Sequence, residues 1–456
     1  MIKLSTPSPI QVSPPGAQHP SVRPSNRYQR VDARHNRVVK TGILEGFHIL
    51  ALLSVLPCTV FWYPIVRSST FGNFVLLDCV YLTLWVTTLA LLPRRGDLSP
   101  VARQCANVCT FAVLAGCCSV IGCVTYGRTA KLTTDLLHHM RVLGFPSIIP
   151  LSISLVSTVR MPRLVAASAL VSTTFNVAVQ LTGYQDRLPL FSEFTNLVVD
   201  QTFRPTGAVS NPNDYGYISI LGLAFGVAMY FTTRFAPISR LLYSTAIVAS
   251  LYGVVTSGSR SAIVGVFGGA MYFIAKRGVS IPKKFGLVSL MVLVLVVGWK
   301  GSSVFQQRMD SAITQKLGEA NVAGRTEAQS IALRTSLAWP MGVGFSNMFA
   351  ATSPYVGDAQ LVVAVQGSDN IYVDFLLGAG VFGLASLLLC FRACWGLART
   401  ATLTPKRVVL QAAIVCILIT GLGSISPASM FVAPFFFALV GVAALPETPE
   451  IVRRRL

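Results

Sequence analysis

The chain has 456 residues, of which 53% are apolar and only 12% charged, and it carries a formal net charge of +20. A soluble domain carries about 25% charged residues, so with a mean hydropathy of +0.62 the totals exclude an ordinary water-soluble fold and indicate an all-α, polytopic membrane protein. They do not indicate a nucleic-acid binder, because the basic residues form short clusters between apolar segments rather than one patch; that is the positive-inside pattern, and phospholipid headgroups are the polyanion at hand.

Residues 1–40 read as a disordered, basic cytoplasmic tail. They are rich in Pro and Ser, carry Arg23, Arg27, Arg30, Arg34, Arg37 and Lys40, and lack the apolar core of a signal peptide. A single transmembrane domain is expected over 41–446, followed by a short cytoplasmic tail, 447–456. A spanning helix needs roughly 20 mostly apolar residues. About twelve such segments follow in order: 42–62, 72–92, 104–125, 143–159, 164–182, 213–233, 241–257, 261–275, 285–301, 370–391, 408–424 and 427–445. The ten cysteines all fall in or, for Cys394, just beyond these apolar segments, with no CxxC. They read as small packed hydrophobes rather than metal ligands or disulfides.

Charge sets the orientation. With the N-terminal tail in the cytoplasm, the inner clusters are Arg94/Arg95/Arg103, Arg160/Arg163, Arg234/Arg240, Lys276/Arg277/Lys283/Lys284, Arg392/Arg399/Lys406/Arg407 and 453–455. Together with the tail these hold 25 of the 37 Lys and Arg residues. Short loops carry the orienting signal, so both termini are expected in the cytoplasm. Four segments then face outward: 126–142, 183–212, the turn 257–261, and a long periplasmic loop, 301–369. A structureless loop of that length is uncommon and usually functional. Within it, GRTEAQSIALRTSLAW places Ala328, Ile331, Ala332, Thr335 and Trp339 at helical spacing, which predicts a short amphipathic helix.

Candidate chemistry lies on these outward segments. Arg204 opens RPTGAVSNPNDYG, where Asn211-Pro212-Asn213 signals a helix start. An arginine on such a turn can grip a phosphate in two places, or simply snorkel at a helix end. Arg260 sits in TSGSRSAIVG between two apolar spans. An arginine there needs a watery cavity or a polar partner. Asp369 and Asn370 open the tenth span, with Asp374 one turn on; at 100° per residue Asp369 and Asp374 diverge, so they are not a close pair. Asp369 reads either as a helix N-cap or as a catalytic group. Arg325 lies on a different face of the amphipathic helix. His138-His139 reads as an interfacial pair pointing apart, and Asp78 as an intramembrane acid with no partner legible in the sequence. No acidic DxD pair, Walker A, G-x-S-x-G or H-E-x-x-H occurs, so no metal site and no cofactor is expected.

Taken together, these pieces resemble the O-antigen ligase and Wzy-type polysaccharide polymerase superfamily of bacterial inner-membrane enzymes. The resemblance covers roughly 200–390 and rests on RPTGAVSNPN, TSGSRSA, Gly324-Arg325, WPMGVGFSNMF and Asp369-Asn370 followed nine residues later by Gly-Val-Phe-Gly at 380–383. It implies metal-independent glycosyl transfer on the periplasmic face from a glycan on undecaprenyl diphosphate. Arg204 and Arg260 would bind the diphosphate, Asp369 would be catalytic, and Arg325, Asn370 and Asn213 would lie on the substrate and acceptor side. An acceptor glycan, the bilayer and other polysaccharide export components are the implied partners. Ligases of the superfamily carry His where this chain has Asp369, which shifts the reading toward a polymerase, with a ligase as the alternative. A lipid-linked oligosaccharide flippase is the alternative of another class. Transporters often show internal repeats; none is evident here.

Overall fold

The computed structural model describes residues 27–62, 76–92, 98–156, 161–182, 207–209, 211–232, 237–276, 280–301, 306, 320–355, 370–400, 404–424, 429 and 431–444. Every regular element among them is helical, in agreement with the all-α expectation. In chain order they are α1 (Arg27–Pro57, continued by a π turn, Cys58–Trp62), α2 (Leu76–Leu91), α3 (Pro100–Thr125), α4 (Leu132–His139), α5 (Ile149–Leu155), α6 (Met161–Thr182), α7 (Pro212–Thr232) and α8 (Pro237–Thr256). There follow α9 (Arg260–Ala275), α10 (Ile281–Gly301), α11 (Ala320–Ala338), α12 (Met348–Thr352), α13 (Ile371–Thr400), α14 (Thr404–Thr420) and α15 (Ala433–Ala444). The chain forms two compact units, Met1–Leu44 and Glu45–Leu456. The first holds the N-terminal part of α1, and the second holds everything discussed below.

A helix lies on each of the twelve apolar segments. Among the described residues, four are long and apolar enough to cross a bilayer: Gly42–Phe61, Pro100–Thr125, Met161–Thr182 and Ile371–Arg399. Only 44–50% of each apolar window is buried. Val171, Phe382 and Leu388 of these helices are exposed along the flanks, as are Leu82, Val86 and Leu89 of α2 and Val248 of α8. Such surface is tolerable only where lipid is the solvent. By contrast α15 is buried on every side, as expected of a helix apolar all round. It packs against α5, α6 and α13.

α3 and α13 form the most extensive helix pair. α3 starts on an N-cap, Ser99, whose side chain accepts from the Ala102 amide at 3.1 Å, with Pro100 in the first turn. Its buried face is built of small residues, including Ala102, Cys105, Cys109, Ala112, Ala115 and Gly116. These let the backbones approach, which is how helices associate when lipid gives no hydrophobic drive. α6, α7, α8, α9 and α14 form a second packed group on the same logic. A Cβ on Gly269 of α9, for example, would lie 3.0 Å from the Ala412 carbonyl oxygen of α14.

Three expectations need correction. Residues 126–142 are not a polar loop: helix resumes at Leu132 and runs as α4, a π turn (Met140–Gly144), a 3-10 turn (Pro146–Ile148) and α5. Burial is possible because the charges are answered. Arg141 donates from Nε to Asp78 Oδ1 at 2.9 Å and from Nη2 to Asp78 Oδ2 at 2.5 Å, which also supplies the partner of Asp78. The tail expected over 1–40 gives way to helix at Arg27, in a stretch after Pro24 that contains no further proline before Pro57. Finally, not all cysteines are packed inside: Cys79 and Cys117 are exposed on their helices, where a thiol is apolar enough for lipid contact.

Candidate functional site

The N-termini of α7, α9 and α13 meet at one end of the bundle, and the sequence motifs explain how. α7 is capped by Asn211, whose Oδ1 accepts from the Asn213 amide at 2.8 Å and whose carbonyl accepts from the Tyr215 amide at 3.0 Å. Pro212 fills the first helical position, where a missing N–H does no harm. The strand of chain before it is held by α6: Asn176 Oδ1 accepts from the Ala208 amide at 2.6 Å. Gly207 (φ 61°) packs on Asn176 and on the Tyr215 ring, where a Cβ on Gly207 would collide with both. Ala208 and Val209 are buried, so the loop is anchored three residues after Arg204.

The turn from α8 to α9 is equally fixed. Gly258 (φ 59°) makes the reversal, Ser257 Oγ accepts from the Ser259 amide at 3.2 Å, and Ser259 caps α9. α7 grips this turn from the side. Tyr217 donates its hydroxyl hydrogen to Ser261 Oγ at 2.7 Å, Tyr215 Oη lies 3.3 Å from Thr256 Oγ1, and Gly216 packs on Ser257 and Ala262. Arg260, the first residue of α9, is exposed in this setting. The small residues around it admit α7 and leave the guanidinium at the surface.

α13 opens on Asn370, which accepts through Oδ1 from the Tyr372 amide at 3.0 Å and the Val373 amide at 3.3 Å. Asn370 is therefore the N-cap, a role that the sequence left open for Asp369. The start of α13 is tied to the end of α14 by the Ile371 amide donating to the Gly421 carbonyl at 2.9 Å and by Tyr372 Oη donating to the Leu418 carbonyl at 2.8 Å. Two residues on, Gly423 approaches Ser261 of α9. Residues 421–423 thus link the Arg260 turn to the Asn370 cap.

The amphipathic helix in the long loop forms as α11. Ala328, Ile331, Ala332 and Thr335 are buried, while Leu337 on the opposite face is 85% exposed. The chain then returns through Pro340–Gly344, the WPMGVGF motif, into a break in α13. At Gly380 (φ 70°, ψ −172°) α13 leaves helical geometry. The freed groups pair with the returning chain: the Val343 amide donates to the Leu377 carbonyl at 2.9 Å, Gly344 to Gly378 at 2.8 Å, and Val381 to Pro340 at 3.0 Å. Gly342 (φ 85°) allows the approach, and on α3 a Cβ at Gly122 would lie 2.9 Å from the Gly342 carbonyl carbon. The two glycine motifs noted in the sequence are therefore the two halves of one joint.

Of the candidate residues, Arg260, Asn213 and Asn370 come together at this end. Arg325 lies on α11, and its side chain is outside the described residues, as are Arg204 and Asp369 altogether. Sequence reasoning missed Asp135, Ser119 and Asn176, all fully buried. Asp135 and His139, at i and i+4 on α4, were the readable signal. His139 packs inward, Nε2 lying 3.0 Å from the Ala112 carbonyl, whereas His138 is exposed, so the pair does diverge. His48 was also passed over; it is buried with Nδ1 2.9 Å from Thr87 Oγ1.

A helical bundle with half-buried apolar windows and exposed apolar flanks is a membrane-embedded protein. Within it, residues 245–388 match the sequence model of the O-antigen ligase family. That match covers 144 of the 456 residues and falls within the stretch, roughly 200–390, whose motifs resemble the superfamily of O-antigen ligases and Wzy-type polymerases. No curated protein matches the chain. The matched segment includes Arg260, Arg325, Asp369 and Asn370, and Arg204 and Asn213 precede it.

Proposed function

We propose that the protein is an inner-membrane polymerase that joins undecaprenyl-diphosphate-linked repeat units of an exopolysaccharide, capsule or O-antigen on the periplasmic face. The twelve-span topology with both termini cytoplasmic belongs to this reading. The observation that carries it is the meeting of the α7, α9 and α13 N-termini around residues 421–423, inside and beside the family domain. That end presents Arg260 and adjoins both Arg204 and Asp369 in sequence.

The chemistry follows from these groups. The acceptor hydroxyl gives its proton to the Asp369 carboxylate as its oxygen bonds to the donor anomeric carbon. The bond from that carbon to the diphosphate oxygen breaks, and undecaprenyl diphosphate leaves with the electron pair. Arg204 and Arg260 neutralise the charge on the leaving group, work that guanidinium groups can do without a metal ion. Arg325, Asn370 and Asn213 line the acceptor side. Because Asn370 already caps α13, Asp369 is not needed as a cap, which favours its role as base.

Transfer of finished glycan to lipid A-core is the second reading, favoured by the description of the matched family as O-antigen ligase. The glycan phenotype of a deletion strain separates the two. Single repeat units left on the lipid carrier support a polymerase. Long polymer left on the carrier supports a ligase and removes the polymerase assignment.

A further inference from the structure

The returning chain after α11 is held from two directions, and only one of them is the break in α13. The other is Asp135 of α4. Its side chain is fully buried, and both carboxylate oxygens are engaged. Oδ1 accepts from the Ser346 backbone amide at 2.6 Å, and Oδ2 accepts from the Ser119 hydroxyl of α3 at 2.5 Å. A buried carboxylate is costly unless hydrogen bonds replace its hydration, and here it spends one of its two oxygens on the backbone of the long loop. Around it the same segment is packed closely. Phe345 contacts the rings of His139 and Phe375, and Asn347 donates from Nδ2 to the Val343 carbonyl at 3.0 Å and to Cys123 Sγ at 3.3 Å.

We infer that Asp135 is a positioning residue that seats the segment 340–352 between α3, α4 and α13 and so fixes the acceptor-side wall. The seating stands on the geometry alone; its consequence for the acceptor rests on the proposed function. On this reading residues 340–352 of the long loop are a fixed re-entrant wall, and Asp135 touches neither substrate nor reacting atoms. The carboxylate acts through hydrogen-bond acceptance, not through proton transfer.

The variants Asp135→Ala, Asp135→Asn and Ser119→Ala distinguish these roles. Asn can still accept from Ser346 through Oδ1 and can donate to Ser119, so it keeps the seat without the charge. Amide hydrogen exchange of peptides covering 339–352 reads the seat directly, with α7 and α8 peptides as the control for intact folding. Asp135→Ala is expected to speed exchange across 340–352 by roughly tenfold or more, Ser119→Ala by less, and Asp135→Asn by little. In a transfer assay Asp135→Ala should raise KM for the acceptor by roughly tenfold with a smaller change in kcat, and Asp135→Asn should restore it. Unchanged exchange in Asp135→Ala would overturn the seat. So would an Asp135→Asn variant that exchanges as fast as the Ala variant. Faster exchange with unaltered acceptor kinetics would overturn the link to the acceptor. If the wild-type protein itself performs no transfer from a lipid diphosphate donor, the functional reading fails while the exchange result still decides the seat. Should Asp135→Ala also loosen α7 and α8, Ser119→Ala alone decides: no acceleration there contradicts the proposal.

Discussion

Two neighbouring residues at the start of α13 carry different burdens. Asn370 holds the Tyr372 and Val373 amides, so Asn370→Ala should lower stability by about 1 kcal/mol, the usual value of an N-cap. Asp369→Asn should leave thermal unfolding in detergent unchanged while cutting transfer by roughly 10²–10⁴-fold, the range for a lost general base. Full activity in Asp369→Asn would remove it as the base. A second residue-scale contrast is the Asp78–Arg141 pair. Asp78→Ala strands a guanidinium whose side chain is only 20% exposed. Removing one partner of a buried pair costs about 3–5 kcal/mol, with the lower end expected here because Arg141 keeps some contact with solvent. Thermal unfolding of Asp78→Ala against the Asp78→Ala/Arg141→Ala double variant checks this: the double variant should recover part of the loss.

At the scale of elements, the joint between the returning chain and α13 rests on glycine. Gly380 adopts φ 70°, ψ −172°, and a Cβ there would collide with the Pro340 and Met341 backbone. Strained backbone alone costs about 1–3 kcal/mol, so Gly380→Ala should destabilise by about 3 kcal/mol or more once the collision is added. Gly396 lies in the same helix with open space around it. Gly396→Ala should be neutral or stabilising by up to about 1 kcal/mol. Equal effects from the two would mean that the joint is not under this constraint. The sequence told where helices form, because apolar runs and capping residues are local signals: Asn211-Pro212 marks a true start. The face of α11 was legible for the same reason. The joint was not, because nothing local in Met341-Gly342-Val343-Gly344 says that its amides pair with carbonyls of a helix further along the chain. On α4 the i, i+4 pair Asp135 and His139 was legible, but the partners Ser119 and Ser346 were not, since they arrive from elsewhere, and neither was Asp78, which answers Arg141 in the π turn that follows.

At the scale of the whole molecule, apolar side chains line the exposed helix flanks, and the capped starts of α7, α9 and α13 lie at one end. On the proposed topology that end faces outward. A C-terminal green fluorescent reporter should therefore fluoresce, and a C-terminal alkaline phosphatase should stay inactive; the opposite pattern would invert the topology and put the site end in the cytoplasm. The matched segment, 245–388, includes both Arg260 and Asp369 in sequence. Arg204 precedes it, four residues before Ala208, whose amide Asn176 holds. The central claim is that this end transfers glycan from a lipid diphosphate by arginine charge and a carboxylate base. The most direct measurement is chain growth by the purified protein in vesicles, supplied with lipid-diphosphate-linked repeat units in excess chelator. The expected result is polymer from the wild type, with transfer lower by roughly 10²-fold or more in Arg260→Ala and in Asp369→Asn. Undiminished transfer in both variants, or transfer only when a divalent cation is added, would contradict it.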